Sequence, residues 1–176
     1  DHGLLAYNTL TNTAPRETMR SVVPFDLVGA NAWKVQDNLV SNFAKRDGNM
    51  VSFGLFMKGA SEGGRMERNL VICSLKDISR PGVRVGISFG GGGTAPEVCR
   101  DKRCDTYEHR RGLAANNIVA HCNDTGLDIN HSSQITLAHN TLINTSGIGA
   151  RNASDKAKIY GNLDEGVAKF RDGVEA

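Results

Sequence analysis

Aromatic residues are scarce in this 176-residue chain, where phenylalanine, tyrosine and tryptophan together account for 6% of positions. A core of aliphatic and small side chains is therefore expected, and the 20 glycines indicate frequent tight turns. No apolar run approaches the ~20 residues that a membrane-spanning helix needs, and no signal peptide is visible. These features predict one β-rich domain over residues 1–176 that has no membrane partner.

Neither sign of charge dominates, because 21 lysines and arginines against 19 acidic residues give a formal net charge of +2. A bulk charge this small predicts no nucleic-acid partner, so recognition of an anion has to come from local clusters of basic residues. The chain begins with Asp1, inside the first copy of the repeat described below. We therefore expect it to be a piece of a longer protein.

Cysteine is also rare, with four residues that allow two disulfides. Cys99 and Cys104 lie five positions apart in a segment rich in glycine and charge, where they form either a small bridged loop or two free thiols. Cys73 and Cys122 lie inside repeats. No second close pair of cysteines or histidines supplies the remaining ligands of a zinc site, so no metal centre is predicted.

What the chain does contain is a short phrase in six copies, an asparagine followed by two mostly apolar residues and a polar one. The repeated asparagines are Asn8, Asn38, Asn69, Asn117, Asn140 and Asn162. Their spacings are 30, 31, 48, 23 and 22 residues, and the last two give the ungapped period. A second strand-like run follows each asparagine, with apolar first and third positions. These runs begin at Phe25, Leu55, Ile87, Leu127, Ile148 and Ala168.

Runs this short cannot bury an apolar face alone, and a period of ~22 residues suits one turn of a solenoid whose strands stack at roughly 4.8 Å. The sequence predicts an all-β parallel β-helix of about six turns. Stacked asparagines are expected to form an axial hydrogen-bond ladder, each in a left-handed turn conformation. The 48-residue spacing places a long loop insertion between the third and fourth turns, at about residues 90–112. Unpaired strands at the solenoid ends predict a further segment or subunit that covers them.

The phrases 116-NNIVAHCNDTGLDINHSS-133 and 139-HNTLINTSGIGAR-151 resemble the right-handed parallel β-helix superfamily of pectate-lyase-like proteins. The resemblance implies a right-handed helix and a secreted, periplasmic or cell-surface protein. The superfamily contains polysaccharide lyases, hydrolases and epimerases as well as phage tailspikes. Because the fold does not choose among these functions, the choice depends on individual residues.

Stacked turns align equivalent residues, and the fourth position of the second run points outward and is basic in three of six copies. The residues of this column are Val28, Lys58, Gly90, Asn130, Arg151 and Arg171. We predict that Asn130, Arg151 and Arg171 line a groove for an acidic polysaccharide. Asp128, in the neighbouring outward column, joins them as a substrate-binding residue. The alternative is a merely solvated face, since like charges stacked at about 5 Å repel one another.

The insertion adds 108-EHRR-111, a set with both acid/base and anion-binding capacity. Glu108 and Arg110 are predicted to bind substrate, although the same phrase also suits a surface salt-bridge cluster. Four glycines at 90–93 allow either a close approach of a ligand to the backbone or a flexible hinge.

The segment 57-MKGASEGGRMERNLVI-72 resembles part of the alginate lyase and chondroitinase B family, in which a Lys-Gly-Ser-like phrase precedes an Asn-marked turn. The resemblance implies β-elimination on a uronate-containing polymer, with Lys58 at the position of the catalytic lysine. The family carries Arg-His-Gly in the following strand, where this chain has 87-ISFGGGG-93. Arg84, expected close to Lys58 along the axis, or His109 then has to supply the missing catalytic group.

Three alternatives stay open. Asp124 and Asp128 suit the paired carboxylates of a glycoside hydrolase, but the His-Gly and Arg-x-Lys phrases of the polygalacturonase-like enzymes are missing. With Asn123 and Glu108 they also offer oxygen ligands to calcium, without a diagnostic loop spacing, and no other cofactor is predicted. The non-enzymatic alternative is a carbohydrate-binding or structural β-helix, as in adhesins and tailspikes.

Overall fold

The structure is a computed structural model that describes residues 1–46, 50–75, 79, 81–91 and 93–174. Its strands pair in parallel and form a right-handed β-helix of six turns. Each turn contributes one strand to each of three six-stranded sheets, and a short three-stranded sheet forms at one corner. This confirms the predicted all-β class, the parallel β-helix and the number of turns.

Three sheets run the length of the solenoid. The first contains β1 (Gly3–Ala6), β4 (Trp33–Gln36), β8 (Arg65–Glu67), β12 (Leu113–Ala115), β16 (Thr136–Ala138) and β19 (Lys158–Tyr160). The second contains β2 (Thr9–Thr11), β5 (Leu39–Ser41), β9 (Leu70–Ile72), β13 (Ile118–Ala120), β17 (Thr141–Ile143) and β20 (Leu163–Asp164). The third contains β3 (Phe25–Val28), β6 (Val51–Lys58), β10 (Val83–Phe89), β14 (Leu127–Asn130), β18 (Ile148–Arg151) and β21 (Lys169–Phe170).

The corner sheet contains β7 (Ser61–Glu62), β11 (His109–Arg110) and β15 (Ser132–Ser133). A single turn of 3-10 helix, Pro96–Val98, lies in the insertion. Within the described residues, no helix has the length and apolar character needed to cross a membrane.

Alternate residues of each strand point into the solenoid and stack in apolar columns along the axis. In the third sheet the inward column is Leu27, Met57, Phe89, Ile129, Ala150 and Phe170. In the first sheet it is Leu5, Val35, Met66, Ala114, Leu137 and Ile159. The core is therefore largely aliphatic, as the scarcity of aromatic residues predicts.

The asparagine ladder forms as predicted. The Asn117 Oδ1 accepts from the backbone N–H of Asn69 at 2.9 Å and from its Nδ2 at 3.0 Å, and the Asn117 Nδ2 donates to the Met66 carbonyl at 2.8 Å. The same pattern connects each asparagine to the next from Asn8 to Asn162. The predicted backbone conformation of these asparagines is wrong. The left-handed residue is the one before each asparagine, as in Asn116 with a φ of 57°, because the turn bends there.

The insertion is shorter than predicted, because residues 109–110 form β11 and belong to the solenoid. It runs from residue 90 to 108 and returns over the earlier turns. The Arg100 N–H donates to the Gly59 carbonyl at 2.9 Å, and the Arg100 guanidinium forms an ion pair with Asp1. Cys99 and Cys104 form a disulfide, which decides between the two predicted alternatives.

Cys73 and Cys122 form a second disulfide with a Cα to Cα distance of 4.9 Å. It joins the end of β9 to the segment after β13 and so connects the third turn to the fourth. Both sulfurs lie in the core, where the side chains are at most 1% exposed. Two disulfides are compatible with an extracellular protein, because such bonds form and persist in oxidising compartments.

Candidate functional site

The outward columns of the third sheet have the predicted register. Val28 pairs with Lys58, and Asn130 pairs with Arg151. The neighbouring column is Asp26, Phe56, Ser88, Asp128, Gly149 and Lys169. Lys58 and Arg151 are therefore on one face, separated by three turns or roughly 14 Å along the axis.

A cleft of about 320 Å³ lies on this face. Its floor is the outward side of the third sheet, and its walls are the segment before β3 and the start of the insertion. It is lined by Ser21, Val23, Asp26, Phe53, Phe56, Lys58, Gly91, Gly93, Thr94, Asn130 and Arg151. Of the four glycines at 90–93, Gly92 lies outside the described residues, and two of the others line the cleft.

Lys58 reaches the cleft from the end of β6. Its Nζ lies 3.3 Å from Asp26 Oδ1 and 4.3 Å from the centre of the Phe56 ring. Phe56 stacks on Phe53 with ring centres 4.3 Å apart, and a Cβ on Gly91 would overlap the Phe56 ring. The absence of a side chain at Gly91 therefore lets the insertion lie against the aromatic pair.

Arg151 holds the other end of the cleft. Its Nη2 donates to Asp128 Oδ2 at 3.1 Å, and the Ser88 hydroxyl donates to the same oxygen at 3.1 Å. The Arg151 Nε is buried without an acceptor among the described residues. Asn130 accepts a hydrogen bond from Asn152 Nδ2 at 2.6 Å. Arg151 thus has one committed donor group, while its side chain remains 29% exposed to the cleft.

The Asp128 side chain is only 1% exposed, and burial raises its pKa above the ordinary value of 3.8, against the opposing effects of Arg151 and Ser88. The folded protein therefore retains this proton at pH values where the unfolded chain has lost it. The resulting stabilisation is present below pH 3.8 and disappears as pH rises through the raised pKa.

We expect the stability of the wild type relative to Asp128→Asn to fall as pH rises above 3.8, since the variant has no proton to release. Urea unfolding of both proteins at a series of pH values between 3.5 and 7, roughly the window set by a raised aspartate pKa, measures this difference. A difference that does not change with pH contradicts the prediction.

Arg84 lies one turn from Lys58 along the axis, as expected, but the two are far apart in the direction of the strands. Arg84 pairs with Ser52, which precedes Lys58 by six residues on β6, so the two cations are roughly 20 Å apart along the strands. Arg84 is also 1% exposed. It therefore cannot act together with Lys58 on one sugar residue.

His109 is buried in the corner rather than exposed on the insertion. Its Nδ1 lies 2.7 Å from the Ser61 hydroxyl, and its Nε2 accepts from the Gly64 N–H at 3.3 Å. Burial lowers the pKa of His109 to about 3, and the ring packs against Phe89. A neutral, enclosed imidazole that already has two partners is not placed to exchange protons with a ligand, so we leave it out of the candidate site.

The other predicted residues are dispersed. Glu108 is buried, and its Oε2 accepts from the Gly59 N–H at 2.8 Å, which fixes the turn after Lys58. Arg110 is exposed on the corner sheet and pairs with Glu62 at 3.2 Å. Arg171 continues the Arg151 column in the exposed last turn, outside the cleft lining. The structure therefore brings together Lys58, Asn130 and Arg151, with Asp128 behind them.

Of the side chains considered for hydrolysis or calcium binding, Asp128, Glu108 and Asn123 already have other partners. Asp128 is enclosed by Arg151 and Ser88, and Glu108 is held by a backbone N–H. Asn123 uses its amide oxygen to accept from the Arg84 N–H. The acidic and thiol groups that lie close enough to share an ion, among the described residues, are Cys99, Asp101 and Cys104, where the two sulfurs form a disulfide.

The walls of the cleft were not predicted from the sequence. Ser21, Val23 and Thr94 come from irregular segments, whose path does not follow from the repeat. The aromatic surface had a visible signal, because Phe56 stands at an outward position where polar residues are normal. Phe53 gave no such signal, since the length of β6 exceeds the run that the repeat defined.

No protein-family model, curated protein or solved structure gives a significant match to this chain. The stacked parallel sheets support the fold part of the resemblance to the pectate-lyase-like superfamily. The fold alone does not assign an activity.

Proposed function

We propose that the protein binds an acidic, uronate-containing saccharide along the outward face of the third sheet. The observation that carries the proposal is that Lys58 and Arg151 line one cleft whose floor includes the Phe53 and Phe56 pair. Phe56 is buried, and the partly exposed ring of Phe53 stacked on it can accept the apolar side of a sugar ring. The two cations suit carboxylate groups. A ligand of this kind, together with the disulfides, favours a secreted, periplasmic or cell-surface protein.

The charge of this face supports an anionic ligand. Its two outward columns contain four cations, Lys58, Arg151, Lys169 and Arg171, against the carboxylates of Asp26 and Asp128. The ~14 Å between Lys58 and Arg151 is about the length of two to three sugar residues. A short oligouronate can therefore place a carboxylate near each of these two cations.

Both cations have a way to accept such a carboxylate. The Asp26 side chain is partly exposed at the cleft, so a ligand carboxylate can replace it beside Lys58 at little cost in desolvation. The Arg151 side chain is 29% exposed, so a ligand carboxylate can reach the part of it that does not contact Asp128.

We expect Lys58→Ala and Arg151→Ala each to weaken binding of a tetragalacturonate by about tenfold, the effect of losing one charge-assisted hydrogen bond. Isothermal titration calorimetry measures the dissociation constants. Lys34→Ala removes an exposed cation of the first sheet that does not line this cleft, and is expected to leave the affinity unchanged.

Two results would contradict the proposal. One is an unchanged affinity in both cleft variants, and the other is equal binding of a neutral oligosaccharide of the same length. The second result would assign the cleft to saccharides without a requirement for charge.

A second candidate function, cleavage of the same polymer by β-elimination, is favoured by the position of Lys58 at the cleft. In this reaction the lysine amine removes the proton at C5, and the C4–O bond breaks as a C4–C5 double bond forms. Arg151, roughly 14 Å away along the axis, can bind only the carboxylate of another sugar residue, so among the described residues that line the cleft no second cation neutralises the carboxylate of the residue that reacts. The leaving oxygen also needs a proton. Among the described residues, no histidine or tyrosine lines the cleft to supply it, so binding is the primary proposal.

Lys58→Arg separates the two functions, because an arginine retains the positive charge but does not act as a base near neutral pH. If the protein is a lyase, the ultraviolet absorbance of unsaturated uronates appears with the wild type and disappears with Lys58→Arg, while binding persists. Binding without any new absorbance on alginate, pectate and glycosaminoglycans leaves only the adhesin-like role.

A further inference from the structure

A second cleft lies on a different face, between the corner sheet and the outward side of the first sheet. Its volume is about 470 Å³, and it is lined by Arg111, Gln134, Thr136, Lys156 and Lys158. Three of these five side chains are cations and the other two carry hydrogen-bond donors. None of the residues that line this cleft, as far as the structure describes them, is acidic.

The repeat positions these side chains in two parallel columns. Arg111, Gln134 and Lys156 occupy the same corner of successive turns and have φ values of 53°, 58° and 52°. The Arg111 N–H donates to the Ser133 carbonyl and the Gln134 N–H donates to the Asp155 carbonyl. These hydrogen bonds hold the corner of each turn against the corner of the next. Thr136 and Lys158 pair in the first sheet. The five lining side chains therefore place hydrogen-bond donors around one space, and donors in successive turns are roughly 4.8 Å apart.

Two carboxylates lie beside this space without lining it, and each pairs with one of its cations. Glu62 pairs with both Arg110 and Arg111. The Asp155 Oδ2 accepts from the Tyr107 hydroxyl at 3.2 Å and lies 3.9 Å from Lys156 Nζ. Two acidic groups thus face four cations, since Lys158 joins Arg110, Arg111 and Lys156 at this corner. The local excess of positive charge favours an anion.

We propose that this cleft binds a tetrahedral oxyanion ester, the sulfate or phosphate group of a substituted sugar. Lysine ammonium groups, a hydroxyl and an amide surround a tetrahedral anion from several directions, and arginine adds a charge-assisted donor. The site is separate from the third-sheet cleft and does not depend on the function proposed for that cleft.

Titration with glucose 6-sulfate, glucose 6-phosphate and glucose, followed by amide chemical shifts in NMR spectra, tests the proposal. We expect both esters, but not glucose, to shift the amide signals of Gln134, Thr136 and Lys158 and to saturate. The tighter ester identifies the preferred source of the anion. Lys156→Ala/Lys158→Ala is expected to weaken binding by at least about tenfold.

Lys34→Ala is the matched control, because Lys34 belongs to the same outward column of the first sheet as Lys158, at the other end of the solenoid. Its affinity for the esters is expected to stay within about twofold of the wild type, as for a distant screened charge. Lys58→Ala, in the other cleft, is expected to have no effect. The proposal is overturned if the double variant binds normally, if Lys34→Ala loses as much affinity, or if glucose binds equally well.

Discussion

Asn117→Ala is expected to lower the free energy of unfolding by about 3–5 kcal/mol, a large fraction of the stability of an ordinary domain. The substitution leaves the N–H and the Nδ2 of Asn69 without their acceptor and the Met66 carbonyl without its donor. These groups lie inside the solenoid, where water does not replace the lost partners, and each costs about 1–3 kcal/mol. Urea unfolding followed by circular dichroism measures the loss.

Asn8→Ala is the control at the open end of the ladder. The Asn8 side chain is exposed and donates to the Ala6 carbonyl and to Asn38 Oδ1, which keeps the Asn8 N–H as a donor. We expect this variant to lose no more than about 1 kcal/mol. Equal losses in the two variants would show that the interior ladder has no special contribution.

The register of the solenoid could be predicted from the sequence because one repeated residue marks it. Asn117 and its equivalents have to stack for their amides to be satisfied, and this constraint aligns every following strand. The outward column from Lys58 to Arg151 follows from that alignment by counting. The fold and the outward column on the cleft floor were therefore predictable from the repeat, whereas Phe53 was not.

The rest of the site depends on segments that do not repeat. Arg84 seemed near Lys58 because it lies in the next turn, but β6 and β10 extend beyond the repeated run and the two residues are far apart along the strands. The sequence places His109 in the insertion, among charged neighbours. It is instead the first residue of β11, and its burial depends on pairing with Ser61, 48 residues earlier. Long-range pairing of this kind has no local signal in one sequence.

Removal of the Cys73–Cys122 disulfide is expected to have the second large effect. The bond closes a loop with a sequence separation of 49, and the chain-entropy model assigns roughly 4 kcal/mol to a loop of this length. We expect Cys73→Ala/Cys122→Ala to unfold at a clearly lower urea concentration than the wild type. The loop contains β10 and the whole insertion. In the unfolded protein the bond therefore restricts a segment that, once folded, forms part of the third sheet and of the cleft.

Cys99→Ala/Cys104→Ala is the matched control, because its sequence separation of 5 corresponds to only about 2 kcal/mol in the same model. This second bond constrains the insertion, which contributes Gly91, Gly93 and Thr94 to the cleft. We therefore expect its removal to weaken oligouronate binding more than it lowers global stability, whereas removal of the Cys73–Cys122 bond does the reverse. Equal stability losses in the two double variants would contradict the entropic argument, because loop length is the property in which the bonds differ most.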